Sequence, residues 1–369
     1  MNDQPRNVTE HSDTAAKETS DPGEVRARYQ AWLGDDARVV GFVAPQSTGF
    51  SSLTYLADVE RDGLVTREVL RSTPSGPSVF RSYDLGLQVA CMRNLADVVP
   101  TPTILAWEPD PAALGAPFYV MEAVEGRIPD DNPPYPLVGW LKDEPADVQR
   151  AHYEQGLDVL AALHQVTPGD VALGDVLDHK AFGVTGLDQQ IGWWRDLYDW
   201  GREATDQPTL DAAWQWLDDN RPADPGRDVV LWGDARISNM IFSPAGDVRA
   251  VIDWEMAGQG PAEVDVAWFL WMDRQFTEVF GAPRLEGFPG EDALIQRWSA
   301  AVGHAPRDLD WYLVFAGVRF STTLMRVAIR TIASGAIPAD ADVYRNHLGT
   351  RLVAQTLGLP EPGPIGLMG

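Results

Sequence analysis

The sequence predicts an α+β chain of two lobes, a β-rich first part followed by a mainly helical second part. Three observations carry this. Between Ala37 and about Met121, β-rich runs alternate with turn clusters and enclose one helical segment. After Glu122, apolar residues recur mostly at helical spacing. A short apolar strand, Phe118 to Met121, joins the two parts.

The chain has 369 residues and 44% hydrophobic content. That is enough for a sizeable core, and the length suits two domains or one large two-lobed unit. The division reads as a disordered tail (1–24), a β-rich N-lobe (25–122) and a mainly helical C-lobe (123–369). The tail is polar and has almost no side chains to bury against its ordering entropy. Glu24 to Leu33 opens a helix. Val39 to Val43, Leu53 to Val59 and Leu64 to Leu70 read as strands, with a small-residue loop from Pro45 to Ser52. Ser82 to Leu95 reads as a helix, and Trp107 to Pro117 as turns. In the second part, Ala146 to Val166 places Tyr153, Leu157, Leu160 and Leu163 near helical spacing. Leu187 to Trp200, Asp211 to Leu217, Val264 to Met272 and Trp311 to Ser334 are further helices. A β-rich interlude, Val229 to Trp254, interrupts them.

Lys plus Arg number 29 and Asp plus Glu 54, a formal net charge of −25. Such a surface repels phosphate backbones and anionic headgroups, so no nucleic acid and no membrane is expected as partner. A cationic small molecule would be tolerated, although acidity also serves solubility alone. The single cysteine, Cys91, allows no intramolecular disulfide and fits a reducing, cytoplasmic setting. The N-terminus lacks the apolar core of a signal peptide. The apolar stretch Trp311 to Gly335 contains Arg319, Arg326 and Arg330, which suits a buried helix better than a membrane span.

The strongest signal runs from Val229 to Glu255. Met240 to Phe242 is a short strand, Ser243 to Asp247 a turn cluster, and Val248 to Ile252 the returning strand. A hairpin sets the residue entering its first strand beside the residue leaving its second. Asn239 and Asp253 are therefore expected together. An amide oxygen beside a carboxylate is hard-oxygen ligation, suited to Mg²⁺. Asp234 lies five residues before Asn239, in a tight loop behind Gly233. As a carboxylate it is a poor base toward an alcohol, so its main work would be orienting a hydroxyl in line, with late proton transfer.

"GDARISN" followed by "VIDWE" resembles the catalytic-loop and metal-loop pair of the aminoglycoside phosphotransferase and choline kinase-like superfamily, and looks closest to its actinobacterial members. "GAPFYVMEAVEGR" (Gly115 to Arg127) resembles that family's lobe-connecting hinge, and "LAALHQV" (Leu160 to Val166) one of its helices. The resemblance covers roughly residues 38 to 335. It implies a bilobal protein-kinase-like fold and transfer of the γ-phosphoryl group of ATP or GTP to a small-molecule hydroxyl, an aminoglycoside being one candidate acceptor. Asp234 would be the catalytic aspartate, Asn239 and Asp253 the Mg²⁺ ligands, and Asp265 a carboxylate supporting the loop. Glu255 would approach the metal or form a salt bridge. Adenine would meet the hinge backbone near Glu122 and Val124.

The pattern departs from the family in two places. Trp232 stands where a loop-bracing histidine is usual; its indole can donate one hydrogen bond and accept none. The phosphate-binding basic residue would be Arg71, or else Arg67. Its usual helix glutamate is replaced by Gln88, which could hydrogen-bond Arg71 without neutralising it. Ser47, Thr48, Gly49 and Ser51 sit where a phosphate-covering loop belongs, though an ordinary hairpin turn reads equally well. Of Trp193, Trp194, Tyr198, Trp200, Trp268 and Trp271, the resemblance implies that some line an acceptor pocket, while the spacing of Trp194 with Tyr198 and of Trp268 with Trp271 favours core packing. His164 reads as a core histidine. Two other functions fit parts of the pattern: a non-catalytic nucleotide-binding module, motivated by Trp232 and Gln88, and a two-acid hydrolase, against which the intervening Asn counts.

Overall fold

The structure, a computed structural model, describes residues 21–45, 52–74, 79–279, 281–338 and 340–363. Helix α1 (Pro22–Leu33) begins two residues ahead of Glu24. The cause is local: the Asp21 carboxylate accepts the Gly23 N–H at 3.0 Å, and proline fills the first turn, where an N–H would have no partner. Strands β1 (Arg38–Val43), β2 (Leu53–Arg61) and β3 (Leu64–Ser72) follow, then helix α2 (Leu85–Asn94), capped by Asp84. Strands β4 (Ile104–Glu108) and β5 (Phe118–Glu122) complete an antiparallel sheet of order β1-β2-β3-β5-β4. The turn-rich reading from Trp107 onward misses the end of β4. That strand is five residues long at the sheet edge, and its pairing with β5 rather than a local signal defines it.

Strand β5 divides the sheet's two faces. Phe118 and Val120 join Tyr29, Leu70 and the other residues packed under α1. Tyr119 and Met121 join the large core shared with α2 and the C-lobe. Alternate side chains on one strand thus tie α1 to one face and the helical half to the other.

The second part contains α3 (Trp140–Asp143), α4 (Ala146–Leu163), α5 (Gly174–Leu177), α6 (Gly186–Gly201) and α7 (Pro208–Asp219). Then come β6 (Val229–Leu231), β7 (Met240–Phe242), β8 (Val248–Val251) and β9 (Gly258–Gly260). Helices α8 (Glu263–Arg274), α9 (Glu291–Val302), α10 (Leu309–Ala333) and α11 (Leu348–Leu357) finish the chain. Antiparallel pairs β7–β8 and β6–β9 supply the interlude expected between helices. Helix α10 is long and apolar enough to cross a membrane by composition, yet it packs against α6, α7, α8 and α11. Arg319 and Arg326 on it are buried among protein groups.

Candidate active site

The β7–β8 hairpin forms in the expected register. Met240 pairs with Val251 and Ile241 with Ala250, while the Ile252 N–H donates to the Asn239 carbonyl at 3.0 Å. Asn239 is thereby set opposite Ile252, next to Asp253. The Ser243 hydroxyl shapes the turn by accepting the Ala245 and Asp247 N–H groups, each at 3.2 Å. Asp253 leaves the strand in the left-handed region, φ 65°, unusual for a residue with a side chain. Its Oδ1 is buried and accepts no hydrogen bond; the Arg71 guanidinium lies 3.7 Å away.

Asp234 is 8% exposed and its carboxylate is fully engaged. Oδ1 accepts the Trp268 indole N–H at 2.9 Å, and Oδ2 accepts Asn239 Nδ2 at 2.7 Å. Arg236 Nε lies 3.0 Å from both oxygens, and its guanidinium also pairs with Asp131. Burial raises the Asp234 carboxyl above its ordinary value; Arg236 opposes this, and Asp253 and Asp131 add to it. With Nδ2 of Asn239 donating to Asp234, the amide oxygen is the atom left to act as acceptor.

The loop is braced as the resemblance implied for Asp265, and differently for Trp232. Asp265 is fully buried and accepts the N–H groups of Trp232 at 2.7 Å and Gly233 at 3.0 Å. His164 accepts the Trp298 indole N–H at 3.0 Å on Nδ1, which leaves the proton on Nε2, 3.7 Å from Asp265. Trp232 is fully buried and donates its indole N–H to the Ile252 carbonyl at 3.0 Å, linking the Asp234 loop to the strand before Asp253. Gly233 has φ 90°, and a Cβ there would lie 2.0 Å from the Met256 carbonyl oxygen, so only glycine fits.

On the N-lobe side, Arg71 is buried and faces Asp253, donating to the Ser52 hydroxyl through Nε at 3.1 Å. Burial works against its charge, but Tyr119, Asp253 and Glu255 outweigh it and hold the guanidinium above the usual arginine value. Arg67, the second choice, is turned away and pairs with Asp58 on the exposed strand face. The expected Gln88–Arg71 bond is not the one formed. Tyr119, the cross-strand neighbour of Arg71, donates its hydroxyl to Gln88 Oε1 at 3.1 Å, and Gln88 Nε2 is buried without a partner. Glu122 ends β5 and exchanges hydrogen bonds with Thr103; the Val124 N–H has no backbone acceptor among the described residues. Ser47, Thr48, Gly49 and Ser51 lie outside the described residues.

Arg236 and Asp131 were not singled out by sequence for this site, and Trp268 only as a pocket-lining or core ring. Arg236 carried a signal, as the one cation inside "GDARISN". Trp268 gave none beyond helical spacing, and Asp131 sits in a proline-rich loop. Trp194, Tyr198 and Trp271 are core residues, as their spacing favoured. No group of three or more His, Cys, Asp or Glu that could hold a metal occurs among the described residues. Any cation here would draw on the Asn239–Asp253 pair and take its remaining ligands from phosphate and water.

A model of the phosphotransferase enzyme family matches residues 43–296. "Probable acyl-CoA dehydrogenase IBR3" of Arabidopsis thaliana is 31% identical over 348 residues, 86% of this chain and 40% of its own length. The chain spans a quarter to two fifths of the length of such curated relatives. A candidate aminoglycoside phosphotransferase of Ralstonia eutropha aligns with TM-score 0.64 at 23% identity, over 89% of this chain and 95% of that one. An aminoglycoside phosphotransferase in ternary complex with AMP-PNP and hygromycin B aligns with TM-score 0.54 at 16% identity, over 86% and 95%. These structures share the bilobal, kinase-like α+β fold. Because the family model runs from the N-lobe sheet through both acidic loops and into α9, the chain belongs to the phosphotransferase enzyme family.

Proposed function

We propose that this chain transfers the γ-phosphoryl group of ATP or GTP to a hydroxyl of a small molecule. One observation supports the reading: Asn239 bonds Asp234 and is paired with Ile252, the neighbour of Asp253, while Arg71 of the N-lobe sheet reaches to 3.7 Å from Asp253. Asn239 and Asp253 would hold Mg²⁺. The donor set fits, being all oxygen, with Asp253 Oδ1 buried and accepting no hydrogen bond. Bound there, Mg²⁺ would draw charge from the phosphates of the nucleotide. Arg71 would hold the α- and β-phosphates, and the backbone at Glu122 and Val124 would take the base. Ser47, Thr48, Gly49 and Ser51 are kept as the phosphate cover on sequence position alone.

Asp234 would orient the acceptor hydroxyl. Its oxygen forms the new bond to phosphorus, the bond to the β-phosphate oxygen breaks with its electrons leaving on the nucleoside diphosphate, and the hydroxyl proton passes late to Asp234. Both Asp234 oxygens are occupied, so the hydroxyl would displace the one shared donor, Arg236 Nε, while Asp131 keeps the guanidinium tethered. Tyr135, Tyr153, Phe269 and Phe276 wall a hollow behind Arg236 with room for about one water molecule. That hollow is too small to admit the acceptor. The hygromycin B held by a neighbour of the same fold makes aminoglycosides the first acceptors to test, and the net charge of −25 is compatible with a polycation.

The occupied carboxylate also favours a second reading, a nucleotide-binding module without turnover. A panel of antibiotics and hydroxylated metabolites with ATP and GTP, read by mass spectrometry for an added phosphoryl group, separates the two. A phosphorylated product that disappears in Asp234→Ala, with nucleotide affinity retained, supports the kinase. Undiminished turnover in Asp234→Ala would refute the role given to that residue, and nucleotide binding with no product across the panel would favour the module.

A further inference from the structure

Helix α10 carries a cation beneath the catalytic loop. Arg319 is 1% exposed, which costs several kcal/mol unless the charge is answered locally. It is answered on three sides. One terminal nitrogen donates to the Gly233 carbonyl at 2.8 Å, and the other to the Val264 carbonyl at 3.3 Å. The guanidinium carbon lies 4.6 Å from the centre of the Trp268 ring and 5.0 Å from that of Trp194. Asp265 and Asp234 supply the nearest negative charge. Burial draws the guanidinium down to about 10, so it stays protonated at neutral pH.

Two of these contacts converge on one residue. The Gly233 carbonyl belongs to the peptide bond that leads into Asp234, so Arg319 holds the backbone at that point. Trp268, under the same guanidinium, donates its indole N–H to Asp234 Oδ1 at 2.9 Å, so it holds the side chain. Asp265 fixes the other face of the loop through the Trp232 and Gly233 N–H groups. The Trp232 indole is turned toward Ile252, and it is Trp268 that reaches the carboxylate.

We propose that Arg319 and Trp268 are the positioning pair for Asp234, one holding the peptide bond before it and the other its carboxylate. The proposal rests on Asp234 being the catalytic aspartate. Neither residue touches the nucleotide site residues Arg71, Asn239 or Asp253 in any hydrogen bond or ion pair among the described residues, so the pair should govern turnover and leave nucleotide binding alone.

The test uses the full chain and three variants. Trp268→Phe keeps a ring beneath Arg319 and deletes the N–H. Arg319→Lys keeps the charge but cannot fork to two carbonyls. Arg319→Met removes the charge at similar size. Nucleoside diphosphate release from MgATP and MgGTP is followed with water, hygromycin B and kanamycin as acceptors, MgADP affinity by calorimetry, and folding by urea denaturation. We expect kcat to fall about tenfold in Trp268→Phe, with KM for nucleotide and MgADP affinity within about twofold. Arg319→Met should lose more, and Arg319→Lys should recover part of that loss. Unchanged kcat in Trp268→Phe, or a loss matched by MgADP affinity or by the unfolded fraction, would overturn the positioning role. Should Arg319→Met fail to fold, Arg319→Lys and Trp268→Phe still decide. Absence of turnover by the native chain with every acceptor would overturn the kinase reading and this proposal with it; native turnover with unaffected variants would overturn this proposal only.

Discussion

Replacing Trp232 with histidine, the residue its family usually carries at that place, should weaken this chain. Trp232 is fully buried, its ring centre 6.0 Å from that of Trp254, and its indole N–H satisfies the Ile252 carbonyl at 3.0 Å. Complete truncation of a buried tryptophan costs about 3–5 kcal/mol. An imidazole keeps roughly half the ring, so about 2 kcal/mol of packing is lost. If the smaller ring falls short of the Ile252 carbonyl, that half-buried acceptor adds about 1 kcal/mol. The expected destabilisation is therefore about 2–3 kcal/mol, with lower kcat because Ile252 precedes Asp253. Urea unfolding at pH 7.5, where an ordinary histidine is neutral, measures the first. ADP release from MgATP measures the second. Trp232→Phe, which keeps more of the ring but has no donor, should lose about 1 kcal/mol for the unpaired carbonyl on top of a smaller packing loss. A histidine variant as stable as the native chain, or a faster one, would show that the tryptophan is not the brace inferred from its burial and hydrogen bond.

Three further outcomes follow from other parts of the site and fold. Asp253→Ala should weaken MgATP binding at least about tenfold while leaving metal-free ATP nearly unchanged, as calorimetry with Mg²⁺ or EDTA would read; equal losses in both would remove it from the metal site. Gly233→Ala forces a Cβ to 2.0 Å from a backbone oxygen, which no rotamer relieves, so it should cost well above the roughly 1–2 kcal/mol of left-handed backbone alone. Gly246→Ala in the hairpin turn, whose nearest contact is 3.7 Å away, should show only that smaller cost, and equal losses in urea unfolding would contradict the clash. His347 caps α11 by accepting the Thr350 N–H, and burial pulls its pKa from 6.5 down to about 3. The unfolded chain takes up that proton below pH 6.5 and the folded chain does not, so stability should drop as pH falls from 6.5 toward 3, by about 1.4 kcal/mol per unit. His347→Asn keeps a capping oxygen and should flatten this slope between pH 6.5 and 5; an unchanged slope would place the titration elsewhere.

The sequence by itself determined the two-lobed plan and the hairpin that carries Asn239 and Asp253, because both rest on short-range rules. A five-residue turn between two short strands fixes which residues face each other, so Asn239 and Asp253 could be paired without knowing anything more distant. Asp265 was reached through the family resemblance, and its role depends on two backbone N–H groups that any similar loop presents. Tertiary structure alone decided the rest. The resemblance set Gln88 within reach of Arg71, but Tyr119, from another strand, takes the Gln88 oxygen. Trp268 and Arg319 lie 34 and 86 residues beyond the groups they hold, Asp234 and Gly233. Their helical spacing says which side is buried and nothing about what lies on that side. A buried arginine and an indole N–H become legible only when α8 and α10 are packed against the loop they support.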